Sequence, residues 1–327
     1  MTAEALLLSL LAAAVPVLFY VALIYWIDRY EKEPWWLLAA AFLWGAIPAA
    51  LLALVLNTAF SAPFYALLSS GPAEFIAGGL IAPVIEETAK GLILLAILLF
   101  WRQELDSPLD GLIYGAVVGM GFAMVENVLY YSAAFVEGGR AAFSTTVLMR
   151  GVIFGLSHAM YTALTGLGIA LARLSPSRPV RYAAPALGLA AAIFFHALHN
   201  ITMFGGVALS FLAGLTFDWG GIVLTLAIIV FALARERQWM RDYLADEVSL
   251  GTLTADEYVL VRSAAARNRR RLGLLLREGP DAYRRSGRRY REVSELAYYK
   301  RHHAVFGDER SLLAVQRLRQ TLRGGAA

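Results

Sequence analysis

Long apolar runs, broken by short charged loops, fill the first 234 residues of the chain. An α-helix needs about 20 consecutive apolar residues to cross the hydrocarbon of a bilayer. Seven runs approach or exceed that length: 5–27, 35–57, 74–101, 109–132, 146–173, 182–204 and 212–234. Two segments leave room for an eighth. Residues 61–80 are moderately apolar and hold Pro63, Gly71, Pro72, Gly78 and Gly79, while the run 206–234 is interrupted at Asp218-Trp219-Gly220-Gly221. The pattern predicts an all-α polytopic membrane protein with seven or eight transmembrane helices. Gly111, Gly115 and Gly119 recur every fourth residue, a spacing that suits close approach of helix backbones in lipid.

Beyond residue 234 the pattern changes to short amphipathic stretches, which divides the chain into a membrane domain, 1–234, and a helical tail, 235–327. Thr254-x-x-Glu257 predicts a capping box in that tail. Composition sharpens the contrast. Hydrophobic residues make up 59% of the chain and charged ones 17%, against about 25% charged in soluble domains. The tail carries 20 basic and 12 acidic residues, whereas the body carries 9 and 13. Arginines at 269–271 and 284–291 suit an anionic lipid surface. No nucleic-acid-binding module is present and no nucleic acid partner is expected. Lys and Arg in the loops 28–34, 102–108 and 173–181 and at the start of the tail fall on one side of a seven-span topology. The positive-inside rule then puts the tail in the cytoplasm and the N-terminus outside. Met1-Thr2-Ala3-Glu4 lacks the basic flank of a secretory signal. With no cysteine in the chain, disulfides and thiolate-bound metal are excluded.

Ionisable groups inside apolar helices are costly and mark function. Here they fall in four consecutive runs: Glu86, Glu87 and Lys90; Glu126 and Asn127; His158; and His196, His199 and Asn200. At 1.5 Å of rise per residue these groups reach comparable depths, so they can share one cavity. Lys90 lies four residues after Glu86 and three after Glu87, within reach of both. It would hold one carboxylate ionised and leave the other to take a proton from water and return it to a leaving amine. His196, His199 and Asn200 sit at i, i+3 and i+4, on one helix face. With His158 and Glu126 they offer the imidazole and carboxylate ligands of a catalytic zinc. Without metal, the histidines could instead donate to an oxyanion beside a glutamate base. Two other readings use the same residues differently. Buried Glu, Lys and His also build the ion pathways of proton-coupled transporters, and a non-enzymatic scaffold would act through its tail. No inverted repeat of the kind carriers often show is visible.

Four blocks in order, Glu86-Glu87-x-x-Lys90, Phe122-x-x-x-Glu126-Asn127, His158-Ala159 and His196-x-x-x-Asn200, resemble the PrsW family of intramembrane proteases. These are relatives of the CAAX-processing and bacteriocin-immunity-type membrane proteases. The resemblance covers about residues 82–200, is weaker in the first two runs and does not reach the tail. It implies a membrane-embedded, all-helical protease of the cell membrane. Glu86 and Glu87 would then be catalytic, with His158 and His196 as catalytic or metal ligands. Glu126 would join the two histidines if a metal is bound, while Lys90, Asn127, His199 and Asn200 would support them. Where CAAX-type relatives carry a histidine after Phe-x-x-x, this chain has Glu126, which follows the PrsW pattern. The family is classed with the metallopeptidases, whereas its relatives are argued to be metal-free glutamate enzymes. The implied substrate is a single-span membrane protein, such as a transmembrane anti-sigma factor.

Overall fold

The computed structural model describes residues 3–204 and 208–324, which are helical throughout apart from short connections, with no strand among them. The first two residues of the run 206–234 lie outside the described residues. The helices are α1 (Ala3–Ile27), α2 (Trp35–Leu67), α3 (residues 70–100), α4 (Pro108–Val147), α5 (Ser157–Leu174), α6 (Arg178–Phe204) and α7 (Ala208–Ser249). Four shorter helices follow: α8 (Ala255–Val261), α9 (Ala264–Glu278), α10 (Pro280–Phe306) and α11 (Glu309–Gly324). Among the described residues, five stretches are long and apolar enough to cross a membrane, namely α1, α2, the run Pro108–Leu174, α6 and α7. The Pro108–Leu174 run holds 67 residues, or about 100 Å of helix, and it doubles back as α4 and α5. Helix α3 is not among the five, and it carries Glu86, Glu87 and Lys90.

Glycine sets the register of the α4–α5 hairpin. A Cβ on Gly111 would lie 2.2 Å from the Gly166 carbonyl oxygen, one on Gly115 2.4 Å from that of Thr162, and one on Gly119 2.1 Å from that of His158. Each step of four along α4 is answered by a step of four backwards along α5, the signature of antiparallel backbones in direct contact. The glycine stripe therefore delivers His158, the second residue of α5, against Gly119 in the first third of α4. On another face of α4, Gly121 meets Phe42, and Gly45 of α2 meets Val118.

Proline explains two wide turns. Residues Gly45–Ala49 contain Pro48, and Ala77–Ile81 directly precede Ala82 and Pro83. A proline lacks the N–H that a helix needs and its ring crowds the carbonyl four residues back. In α3 the Ala82 N–H bonds to Ala77, five residues back. The next N–H in that register would be that of Pro83, so the Gly78 carbonyl loses its partner. Asn200 Nδ2 of α6 supplies one at 2.7 Å. The helix thus runs through Pro83 without a break.

Two further features depart from the sequence reading. Helix α4 continues past residue 132 to Val147, bending at Gly139, whose φ of 65° is open to glycine. Helix α7 passes unbroken through Asp218-Trp219-Gly220-Gly221, because the Asp218 carboxylate is bonded by side chains of α5 and α6. Asp110, in the first turn of α4, completes a capping box with the N-cap residue Ser107: its Oδ2 accepts the Ser107 N–H at 2.7 Å.

The chain divides into two compact units, residues 1–27 with 33–229, and residues 28–32 with 230–327. The second unit has its own core of Tyr30, Trp239, Met240, Leu244, Leu296 and Leu318, among others. The Thr254–Glu257 capping box is formed, with reciprocal bonds of 3.1 Å. Glu247 accepts from Lys300 at 2.6 Å and from Arg319 at 2.7 Å. Arg267 is buried and donates to the carbonyls of Tyr30 and Arg29 and to Ser294 Oγ, at 3.2, 2.9 and 2.9 Å. Arg267→Ala removes the donor from these buried acceptors and should cost about 3 kcal/mol. Limited trypsin digestion checks this: cleavage within 230–327 accelerates in the variant while the first unit keeps its wild-type resistance.

Candidate active site

Helices α3, α4, α5 and α6 bring Glu86, Glu87, Lys90, Glu126, His158 and His196 into one buried cluster. Glu87 and Lys90 are fully buried, and Lys90 Nζ lies 2.6 Å from Glu87 Oε1. The pair is one helical turn apart on α3, as the sequence spacing requires. Glu87 Oε1 also meets His196 Nδ1 at 2.9 Å, and Glu87 Oε2 accepts the Thr162 hydroxyl at 3.0 Å. An ammonium, an imidazole and a hydroxyl thus fix this carboxylate from three helices. Lys90 reaches further, to His158 Nδ1 at 3.3 Å, and stands 4.1 Å from the centre of the Phe122 ring. The Trp44 indole of α2 donates to the Ala89 carbonyl at 3.0 Å and holds α3 at this level.

Glu86 is bound differently. It is 7% exposed, and its Oε1 accepts from Asn57 Nδ2 of α2 at 3.2 Å. Its Oε2 is buried with no hydrogen-bond partner among the described residues, and faces His196 Nε2 at 3.8 Å. The two neighbouring glutamates are therefore unequal: one is pinned, the other has an unengaged oxygen beside an imidazole.

Glu126 pairs with Arg150 at 2.6 Å and with His158 Nε2 at 2.8 Å, and Arg150 Nε also donates to Asn127 Oδ1 at 2.9 Å. Among the described residues, Glu87, His158 and His196 each offer a donor atom within 4.8 Å of the others. His199 and Asn200 turn elsewhere, His199 Nδ1 to Asp218 Oδ2 at 2.5 Å and Asn200 to the Gly78 carbonyl. Asp218 accepts Tyr161 OH at 2.7 Å as well, and the Tyr161 ring stacks on His196 at 5.0 Å between centroids. A cavity of about 220 Å³ opens beside the cluster, lined by Asn127, Arg150, Ser157, His158, Tyr161 and His199.

The sequence pattern does not single out Thr162, Tyr161, Asp218 or Asn57, and it shows Arg150 only as a charge near the start of the 146–173 run. Thr162 and Tyr161 lie four and three residues after His158, the spacing of one helix face, so that signal is available. Asn57 is equally visible as an amide in an apolar run. Asp218 reads as a span-end residue, and nothing local shows that it meets His199 and Tyr161.

The donor chemistry fits a catalytic metal. A carboxylate with two imidazoles is one of the recurrent protein ligand sets of catalytic zinc. Lys90 stands at two of the same residues, so a metal would share Glu87 and His158 with an ammonium.

Fold and site together define a helical protein with several helices long and apolar enough to cross a membrane and a carboxylate–imidazole centre between them. Residues 33–233 match the PrsW family intramembrane metalloprotease family, and the chain belongs to that family. Protease PrsW of Geobacillus kaustophilus (strain HTA426) is 30% identical over 159 residues, 48% of this chain and 64% of that protein. Protease PrsW of Clostridioides difficile (strain 630) is 31% identical over 160 residues, 48% and 62% of the two chains. That of Bacillus subtilis (strain 168) is 26% identical over 167 residues, 51% and 70%. The chain thus matches about half of its own length to roughly two thirds of these relatives. No solved structure matches it.

Proposed function

We propose that this chain is an intramembrane peptidase that hydrolyses single-span membrane proteins with Glu86 as general base. The observation that carries the reading is the inequality of the two glutamates. A water molecule between Glu86 Oε2 and His196 Nε2 would give a proton to the carboxylate while its oxygen adds to the scissile carbonyl carbon. Glu86 then passes the proton to the amide nitrogen, and the C–N bond breaks. Glu87, pinned by Lys90 and Thr162, fixes the His196 ring through Nδ1 and so aims Nε2 at the water. Tyr161, stacked on His196 and anchored by Asp218, limits the ring further. His158, with its ring nitrogens on Glu126 and Lys90, would hold those two groups in place around the reacting carbonyl, with Arg150 and Asn127 steadying Glu126.

In a metal-bound form of the site, one zinc ion would be held by Glu87, His158 and His196 in place of these hydrogen bonds, and would supply Lewis-acid polarisation of the carbonyl and acidify a bound water. The substrate class includes transmembrane anti-sigma factors. Topologically, the N-terminus lies outside and the 235–327 tail in the cytoplasm, where exposed Arg269, Arg270, Arg284 and Arg288 would contact anionic lipid.

The test is reconstitution of the purified chain with designed single-span peptides in proteoliposomes. Wild-type protein should cut them, and Glu86→Gln should lower the rate by about a thousandfold at unchanged thermal stability. Proton flux through the wild-type protein without any peptide cleavage would overturn the reading in favour of a carrier.

A further inference from the structure

All four polar side chains of the segment 50–67 line one cavity. Asn57, Thr58, Ser61 and Tyr65 form a stripe along α2 and, with Gly78 of α3, line an open cleft of about 510 Å³. The rest of that segment is apolar, and a stripe of this kind facing lipid would be costly. It also differs in character from the charged cluster behind it, because the acceptors it offers are neutral. Thr58 spends its hydroxyl proton on the Leu54 carbonyl at 2.7 Å, which leaves its lone pairs free. Asn57 spends an N–H on Glu86, and its Oδ1 is buried with no hydrogen-bond partner among the described residues.

Lipid tails carry no donors, and an intact transmembrane helix has none to spare because its N–H groups are bonded internally. A helix that has been unwound over a few residues does have them. Unwinding is also what hydrolysis needs, since a carbonyl inside a helix is shielded from water. We infer that the Asn57–Thr58–Ser61–Tyr65 cleft binds the unwound segment of a membrane-spanning peptide through its backbone N–H groups. Asn57 touches both the cleft and Glu86, so a segment held there lies one side chain from the base. This inference rests on the peptidase reading for its purpose, though not for its test.

The experiment places a photo-crosslinking residue in the full chain, Ala62→p-benzoylphenylalanine, at the cavity wall. The probe is a biotinylated Leu/Ala peptide about 25 residues long with a central Gly-Gly pair. A second probe is identical except that its central amides are N-methylated, which removes the donors and leaves the protein untouched. Crosslinking should fall about tenfold for the methylated probe, and about as far for the first probe when Asn57→Leu is added. Equal yields from the two probes overturn the inference, as does cleavage of the first probe with no crosslink from position 62. Donor-dependent crosslinking without cleavage upholds the cleft and tells against the peptidase reading.

Discussion

Adding one methyl group at Gly119 should destabilise the protein by about 3 kcal/mol, whereas the same change at Gly220 should be neutral or slightly stabilising. A Cβ at Gly119 would stand 2.1 Å from the His158 carbonyl oxygen, and the obstacle is backbone. It cannot rotate away, so α4 and α5 must separate. Separation moves His158 from Glu126 and Lys90, so the loss extends from packing to the site. A Cβ added at Gly220 would meet no atom of the described residues within 4 Å, and alanine is the better helix former by about 1 kcal/mol. Thermal unfolding of Gly119→Ala and Gly220→Ala in the same detergent separates the two cases. A Gly119→Ala chain as stable as wild type would mean that the glycine stripe does not set the hairpin register.

Lys90→Met should carry the second large effect. Removing one partner of a buried ion pair costs about 3–5 kcal/mol, because the other charge stays buried. Glu87 would keep Thr162 and His196 but lose its ammonium at 2.6 Å. The same substitution also removes the cation that shares Glu87 and His158 with a metal. Zinc should therefore restore much of the lost stability in the Met variant, by mass action on the folded state, and shift the wild-type midpoint less. His196→Ala in the Lys90→Met background should abolish the rescue. Melting curves with and without zinc, together with metal content per chain, read this directly. Equal zinc shifts in wild type and Lys90→Met would show that the ammonium and the metal do not compete.

The residues that carry charge into apolar helices are legible because hydrophobicity makes them conspicuous. Glu86, Glu87, Lys90, Glu126, His158 and His196 all stand out against their runs, and the structure gathers them within reach of one another. The Lys90–Glu87 contact and the Thr254–Glu257 cap follow from spacing alone, since both are local to one helix. Long-range partners do not. Asp218 and His199 are 19 residues apart and meet only because α6 and α7 pack. Arg150 reads as a charge near the start of the 146–173 run until α4 is seen to continue to Val147 and return through residues 148–153. The wide turn before Pro83 is half visible. Proline announces an irregularity, but a break and a widened helix look alike until Asn200 is seen to bond the Gly78 carbonyl.

The most direct test compares membrane proteins in cells that express the wild-type chain or Glu86→Gln at equal levels, by quantifying intact single-span proteins and newly created N-termini. The account predicts that at least one single-span protein accumulates intact in the Glu86→Gln cells while its new N-terminus disappears. Identical protein levels and identical N-termini in the two strains, with the chain present and folded in both, would contradict it.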